Sequence, residues 1–486
     1  MTRFMACGLL ACALAVAVAG SHSTLLASSP RASVTAPLPP SAEGASPATV
    51  ISYSAIVDRV QPGVVTVQVE KREAAGAVPA QGRLRDFFGP QARTAPREGR
   101  VSGLGSGVVI RADGYILTNH HVIVDADRIR VELSDGRTLA ASVIGSDTAS
   151  DLAVLKVEGH DLPTVPFGDS GRVKVGDVVL AFGNPFGVGQ TVTMGIVSAK
   201  GRATDIGEGS YEDFLQTDAP INQGNSGGAL VSVKGELVGI NAQIMSPSGG
   251  NIGLGFAIPS SMARAVADQL IAEGVVHRSK LGIVVQPMTA DLAEGLGVPD
   301  ARGALVSAVE PGGPAADAGL QPGDVITRID GQMISEANAL RNQIASTRPG
   351  SAVALTVIRG GRTETISARL VERERVGAQS ARAEGPAESG PASFGMALAP
   401  LTPDVAEQLD LARTETGLAV MGVDPGGAAA AAGILPGDVI KRVNGRDVGS
   451  MPTLRAALAE RQDKPALVLV NRQGSSLFVA LPHVQS

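Results

Sequence analysis

Cysteine is almost missing: the 486 residues hold two, Cys7 and Cys12. Both fall in the opening stretch MTRFMACGLLACALAVAVAG, which joins an early positive charge, an apolar run from Phe4 to about Ala19 and the small-residue site Ala17-Val18-Ala19. That is the layout of a secretory signal peptide. An uncleaved anchor helix is the main alternative, because the run approaches bilayer-spanning length; Leu9-Leu10-Ala11-Cys12 is a weak lipobox. After cleavage near Ala19 no cysteine remains, which excludes disulfides and thiolate-held metals. An excess of one charge is lacking too. Charged residues make up 18% and the formal net charge is -6, so no basic field favours nucleic acid or an anionic membrane surface. Aromatics are 3% of the chain, against which the adjacent Phe87 and Phe88 stand out, and histidines number six.

What is present is enough apolar material, 44% of residues, for more than one core, and the length fits about three domains. Residues 1–19 read as the signal peptide and 20–50, rich in Ser, Ala and Pro, as a flexible tether. Over 51–277 short apolar runs alternate with Gly and Asp-Gly: GVVTVQVE, GSGVVI, GYILTN, DLAVLKV, GDVVLAFG, GELVGINA. Many short strands with frequent turn signals predict a mainly β barrel or sandwich, and Asp135-Gly136 marks a hairpin. Residues 71–100 interrupt the pattern as a long surface loop, whose Phe87-Phe88 either contacts another subunit or folds back on its own domain. Ser260 to Gly274 has helical spacing at Met262, Val266, Leu270 and Ile271, with a serine cap and a closing Gly. Then the text repeats. Gly303–Gly331 and Gly417–Gly445 match at a constant offset of 114, giving two homologous domains, 278–372 and 392–486, around a polar linker at 373–391.

The stretch Gln223-Gly224-Asn225-Ser226-Gly227-Gly228-Ala229-Leu230 places a serine among glycines. A tight turn and the G-x-S-x-G elbow of α/β-hydrolases both fit it. A serine nucleophile needs an imidazole to take its proton and a carboxylate to hold the imidazole. In the α/β-hydrolase order only His277 and His483 follow the serine, one at a domain junction and one at the tail; the region also lacks βαβ alternation. The order His, Asp, Ser is better served. Thr118-Asn119-His120-His121-Val122 ends one strand and Ser150-Asp151-Leu152 opens another. Three such residues at strand edges, in that order, suit an enzyme with its site between two barrels.

TNHHV, SDLAVLKV and GNSGGAL, with GDVVLAFGNPFGVGQTVTMGIVSA and GGNIGLGFAIPS, resemble the HtrA/Deg family of Do-type serine proteases over nearly all of Ile51 to Pro482. The resemblance implies a mainly β protein, a chymotrypsin-like double β-barrel followed by two PDZ domains. It implies an ATP-independent endopeptidase working through an acyl-enzyme, with His121, Asp151 and Ser226 as the triad. The position of His120 is often Asn in the family. The oxyanion hole would lie at Gly224, Asn225 and Ser226, its donors being the N–H groups of Gly224 and Ser226. No cofactor and no metal is implied. Pro220 stands where trypsin-like relatives selecting Lys or Arg carry Asp, so a basic P1 residue is disfavoured. Ile240 and Ile244 line an apolar pocket or belong to the barrel core.

For the PDZ domains the resemblance implies carboxylate-binding loops at Leu281, Gly282 and Ile283 and at Phe394, Gly395 and Met396. Helices near Leu340 and Leu454 form the other groove walls, and the second copy is peptide-binding or purely structural. The implied partners are unfolded polypeptides and peptide C-termini, within a homotrimer or a higher multiple of trimers in the periplasm, with loose membrane association and no nucleic acid. A holdase chaperone with secondary proteolysis is the competing function.

Overall fold

In the strand Leu152–Val157 successive side chains point to opposite faces, as in any strand, yet five of its six residues are buried. Ala153, Leu155 and Val157 enter one core with Val67, Val109 and Ile116. Leu152 and Val154 enter another with Phe182, Leu237 and Ile240. A strand apolar on both faces needs a layer against each.

In the computed structural model, which describes residues 52–72, 100–187, 189–204, 210–246, 250–373, 395–409, 411–459 and 464–482, two closed barrels provide those layers. The first contains β1 (Val64–Arg72), β2 (Arg100–Arg111), β3 (Tyr115–Thr118), β4 (Arg128–Glu132), β5 (Thr138–Asp147) and β6 (Leu152–Val157), in the order β1-β2-β3-β6-β5-β4. The second contains β7 (Val178–Gly183), β8 (Thr191–Arg202), β9 (Phe214–Thr217), β10 (Ala229–Ser232), β11 (Leu237–Ile244) and β12 (Gly255–Pro259), in the order β10-β11-β12-β9-β8-β7. Strand β10 repeats the logic of β6. Its Leu230 fills the second barrel with Val179 and Leu215, while Ala229 and Val231 face the seam between barrels. Truncating a fully buried seam residue such as Leu152 to Ala costs about 2–5 kcal/mol in cores of this kind.

The Asp135-Gly136 hairpin joins β4 to β5, with Gly136 at φ 86. The helix Ser260–Glu273 lays Ala263, Val266, Ala267 and Leu270 on the seam and stops at Gly274 in the left-handed region, φ 74. The serine cap expected for this helix is not formed. Pro259 holds the cap position, and the Ser260 hydroxyl instead donates to the Gly168 carbonyl at 2.9 Å, because the helix leaves β12 without a turn.

The two C-terminal repeats fold alike. After β13 (Ser279–Lys280), the first contains β14 (Ile283–Pro287), β15 (Ala304–Val309), β16 (Val325–Ile329), β17 (Gln332–Met333), β18 (Ala352–Arg359) and β19 (Arg362–Arg369), and ends in β20 (Val371–Glu372). Its sheet runs β14-β15-β16-β18-β19, and β13 pairs with β20 to bring chain entry and exit together. The second contains β21 (Met396–Pro400), β22 (Leu418–Val423), β23 (Val439–Val443), β24 (Arg446–Asp447), β25 (Ala466–Arg472) and β26 (Ser475–Leu481), ordered β21-β22-β23-β25-β26. Each repeat holds, at the same place, an ion pair between a buried carboxylate and a part-exposed arginine: Arg359 Nε to Asp324 Oδ1 at 2.6 Å and Arg472 Nε to Asp438 Oδ1 at 2.7 Å. The repeats also pack on each other. Leu305 and Val325 of the first share a cluster with Leu467 and Phe478 of the second, and Gln286 exchanges two hydrogen bonds with the Phe478 backbone.

The first repeat docks on the barrels across a cavity of about 510 Å³ lined by Asp213, Met262, Gln269, Asn342 and Ser346. Burial pushes the Asp213 carboxyl above the ordinary 3.8, and Glu336 adds to this against the pull of Lys200. A carboxyl that ionises less readily when folded adds stability at low pH, which is lost as pH rises through its folded value. Asp213→Asn is therefore expected to raise Tm at pH 7 by about 1–3 °C and to have no effect below pH 3.8. Calorimetry across that range checks it, and a lower Tm at pH 7 contradicts the account.

Candidate active site

Ser226 sits in a loop whose path is set by its glycines. Gly224 has φ 98 and Gly227 φ 83, values that side-chain-bearing residues avoid. A Cβ on Gly227 would come within 2.1 Å of the Ser106 carbonyl oxygen, and one on Gly228 within 2.1 Å of that of Phe182. The loop is thus pressed against β2 of the first barrel and β7 of its own. Ser106, fully buried, joins them. Its N–H donates to the Ser226 carbonyl (2.8 Å), its hydroxyl to the Gly224 carbonyl (2.7 Å), and the hydroxyl accepts the Asn184 N–H (3.0 Å). Thr118, at the end of β3, donates its hydroxyl to the Ser106 carbonyl at 2.7 Å.

Within the loop the Asn225 N–H is committed to Asn222 O (3.0 Å) and the Gly227 N–H to Asn241 O (2.8 Å). Among the described residues, the backbone hydrogen bonds of the loop use neither the Gly224 nor the Ser226 N–H. The Ser226 hydroxyl donates to the Ala242 carbonyl on β11 at 3.1 Å.

The histidine and the carboxylate come from the first barrel. Asp151 lies just before β6 at φ 54, a left-handed conformation that Asp tolerates better than most residues. Its Oδ2 is 2.7 Å from His121 Nδ1, and its Oδ1 accepts the His121 backbone N–H at 2.9 Å. The two contacts fix the plane of the ring. The Asp151 carbonyl takes the His120 N–H (3.1 Å) and the Asn119 side-chain amide (2.9 Å). The other histidine turns elsewhere, its Nε2 meeting Thr148 Oγ1 at 3.2 Å.

The turn before Asp151 is also held from the first repeat. Asp147 accepts the Ser150 N–H (2.9 Å) and hydroxyl, and Arg278 meets its two oxygens at 2.6 and 2.5 Å. Burial alone would push the Asp147 carboxyl up; the Arg278 bonds and charge, with Ser150, bring it below its ordinary value. The Tyr211 N–H donates to Ala149 O at 2.8 Å, the Arg278 guanidinium lies 4.7 Å from the Tyr211 ring centre, and Asn338 and Asn342 both donate to Glu212 O.

Of the expected pocket residues, Ile240 is fully buried in the seam cluster, and Ile244 is half-buried against the cluster that holds Ala219 and Ile221. Leu281, Gly282 and Ile283 line a cavity of about 620 Å³ between edge strand β14 and the helix Ala337–Ser346, together with Leu340 and Ile344. Gly282 (φ 77) and Gly395 (φ 74) are both left-handed, a conformation that favours glycine at each loop. Met396 is buried on edge strand β21. Phe394 lies outside the described residues, as do the leader, the tether, Phe87-Phe88, most of the linker and His483. Among the described residues no cluster suits a metal ion, and no helix is long and apolar enough to cross a membrane. Sequence reasoning missed Ser106, Asn184 and Thr118. Ser106 gave one signal, a hydroxyl inside the otherwise apolar run Gly105-Ser106-Gly107-Val108-Val109-Ile110.

A trypsin-like peptidase domain model matches residues 105–240, and two PDZ domain models match 279–370 and 420–472. A protein of Brucella suis biovar 1 (strain 1330), named a probable periplasmic serine endoprotease DegP-like, is 39% identical over 474 residues, spanning 88% of this chain and 89% of its own. One of the same name from Rhizobium meliloti (strain 1021) is 40% identical over 473 residues, spanning 90% and 92%. Among solved structures, the HtrA-type protease AlgW with decapeptide is 45% identical with a TM-score of 0.54, covering 67% of this chain and 100% of that one. AlgW with tripeptide is 45% identical with a TM-score of 0.55, covering 67% and 98%.

The contact of Gly227 with Ser106 makes a substitution there informative. Gly227→Ala puts a Cβ into backbone at 2.1 Å and strains a left-handed residue. The expected cost is about 3 kcal/mol or more, read as a lower urea midpoint with activity lost. An unchanged midpoint would show that the loop does not bear on β2 as described.

Proposed function

This chain belongs to the DegP-like, HtrA-type family of serine endoproteases, and on that premise we propose that Ser226 is the nucleophile, His121 the general base and Asp151 the group that orients and stabilises the imidazole. The observation that carries the reading is the contact of 2.7 Å between His121 Nδ1 and Asp151 Oδ2. With the Nδ1–H of His121 donated to the Asp151 carboxylate, the lone pair of Nε2 takes the Ser226 proton as Oγ attacks the scissile carbonyl, and the imidazolium then protonates the leaving amine. Water hydrolyses the acyl-enzyme by the same route. The developing oxyanion is held by the N–H groups of Gly224 and Ser226, which the loop's other backbone bonds leave uncommitted among the described residues.

The substrates are unfolded or damaged polypeptides of the cell envelope. A scissile segment has to lie extended along β11 beside Ser226, with an apolar P1 residue in a pocket to which Ile244 contributes, Ile240 being enclosed in the seam core; apolar residues are mostly buried in folded proteins, so unfolded chains offer such a segment most readily. The periplasmic names of the relatives support a periplasmic location. Separate apolar cores support boundaries at 51–277, 278–372 and 392–486, with 373–391 as linker. In the first PDZ domain a peptide C-terminus adds to edge strand β14 with its carboxylate at Leu281, Gly282 and Ile283. In the second, Gly395 and Met396, with Phe394, take the corresponding role. The working assembly is a homotrimer or a multiple of it.

Casein digestion by wild type and by Ser226→Ala tests the reading. The variant is expected to lose activity by about 10⁴-fold or more with its Tm retained; an unchanged rate sinks the assignment. For the groove, a peptide ending in valine is expected to bind at least about tenfold more tightly as the free acid than as the C-terminal amide, measured by fluorescence anisotropy. Equal affinities would remove the carboxylate-binding role.

A further inference from the structure

Two adjacent histidines lie at the end of β3, and the mechanism uses one. His120 points to the turn Thr148–Asp151, where its Nε2 meets Thr148 Oγ1 at 3.2 Å. Thr148 closes that turn, its carbonyl accepting the Asp151 N–H at 3.3 Å. Asp151 sits at φ 54, a conformation held only when its surroundings fix it. His120 Nδ1 is buried with no hydrogen-bond partner among the described residues. Burying a polar nitrogen unpaired is unfavourable, so the packing that sets the ring here offsets a cost that an apolar side chain would not carry.

We infer that His120 is a positioning residue for the reaction: through Thr148 its imidazole braces the turn that presents the Asp151 carboxylate to His121. Residues 119–121 then grip residues 148–151 at three separate places. Asn119 and the His120 N–H hold the Asp151 carbonyl, His121 holds the carboxylate, and the His120 ring holds the start of the turn. The first two grips are available to many side chains at position 120, because the backbone N–H makes the contact. The third requires a side chain that hydrogen-bonds at the distance of Nε2. Glutamine offers this, since its terminal amide reaches about as far along the side chain; alanine does not.

The inference rests on Ser226, His121 and Asp151 acting as proposed, and the test separates the two. The full chain is reacted with a fluorophosphonate, whose labelling of Ser226 is followed by mass spectrometry, and kcat and KM are measured on a fluorogenic peptide with valine at P1. His120→Ala and Thr148→Val are each expected to lower the labelling rate and kcat about three- to tenfold, the effect of one ordinary hydrogen bond, with KM within about twofold. His120→Gln restores most of the loss, and His120→Ala/Thr148→Val is no slower than either single variant. Thr148 is exposed, so Thr148→Val against Thr148→Ser supplies the same comparison if His120→Ala does not fold. Equal rates for His120→Gln and His120→Ala, additive losses in the double variant, or an unaffected Thr148→Val would overturn the brace alone. A wild-type protein that takes no label on Ser226 overturns the reading of the triad and the brace with it.

Discussion

The cleft depends on one buried serine. Ser106 belongs to a strand of the first barrel, yet its N–H and hydroxyl both end on carbonyls of the Gly224–Ser226 loop of the second. Its hydroxyl also accepts from Asn184, and its carbonyl is held by Thr118, two residues before the helical turn that carries the histidines. Because Ser106 is fully buried, a missing partner would leave a buried polar group unpaired at a cost of about 1–3 kcal/mol. That penalty ties the register of one barrel to the register of the other. The glycines follow from the same constraint, since Gly227 and Gly228 are where two backbones approach too closely for a Cβ.

Asp151 is held from two directions. From within the barrel, residues 119–121 fix its carboxylate and carbonyl. From the first PDZ domain, Arg278 grips Asp147, which in turn holds Ser150, next to Asp151. The protease domain and its neighbour therefore share a turn, and whatever shifts Arg278 or the Tyr211–Glu212 segment bears on the same few residues. Such a buried ion pair adds less to stability than to specificity of arrangement, because desolvation offsets much of the attraction.

The duplication in the sequence persists as a physical device. Asp324 and Asp438 each accept a backbone N–H in the turn before a strand, and each meets an arginine from the strand that pairs with it. The copies differ in their surroundings. The first PDZ domain has its groove beside the protease domain and the second at its back, joined through Gln286 of the groove strand and the Phe478 backbone.

The strands of both barrels, the hairpin at Asp135-Gly136, the helix after β12 and the repeat were legible in the chain, because period-two burial, turn residues and duplication are local patterns. So were the candidate nucleophile, base and carboxylate, from their residue types and order. The absence of a Ser260 cap was not legible there: the strand running straight into its helix leaves the hydroxyl to a carbonyl some 90 residues away in sequence. The role of Ser106 is hidden for a related reason, as a hydroxyl in an apolar strand has no local signature of the loop it holds. The chain alone set the order of the chemistry and the type of the fold. That His121 meets the Asp151 carboxylate while His120 meets Thr148, and that Ser106 binds the serine loop, follows from segments 28 to 118 residues apart converging at the seam, a geometry fixed by packing rather than by neighbours in sequence.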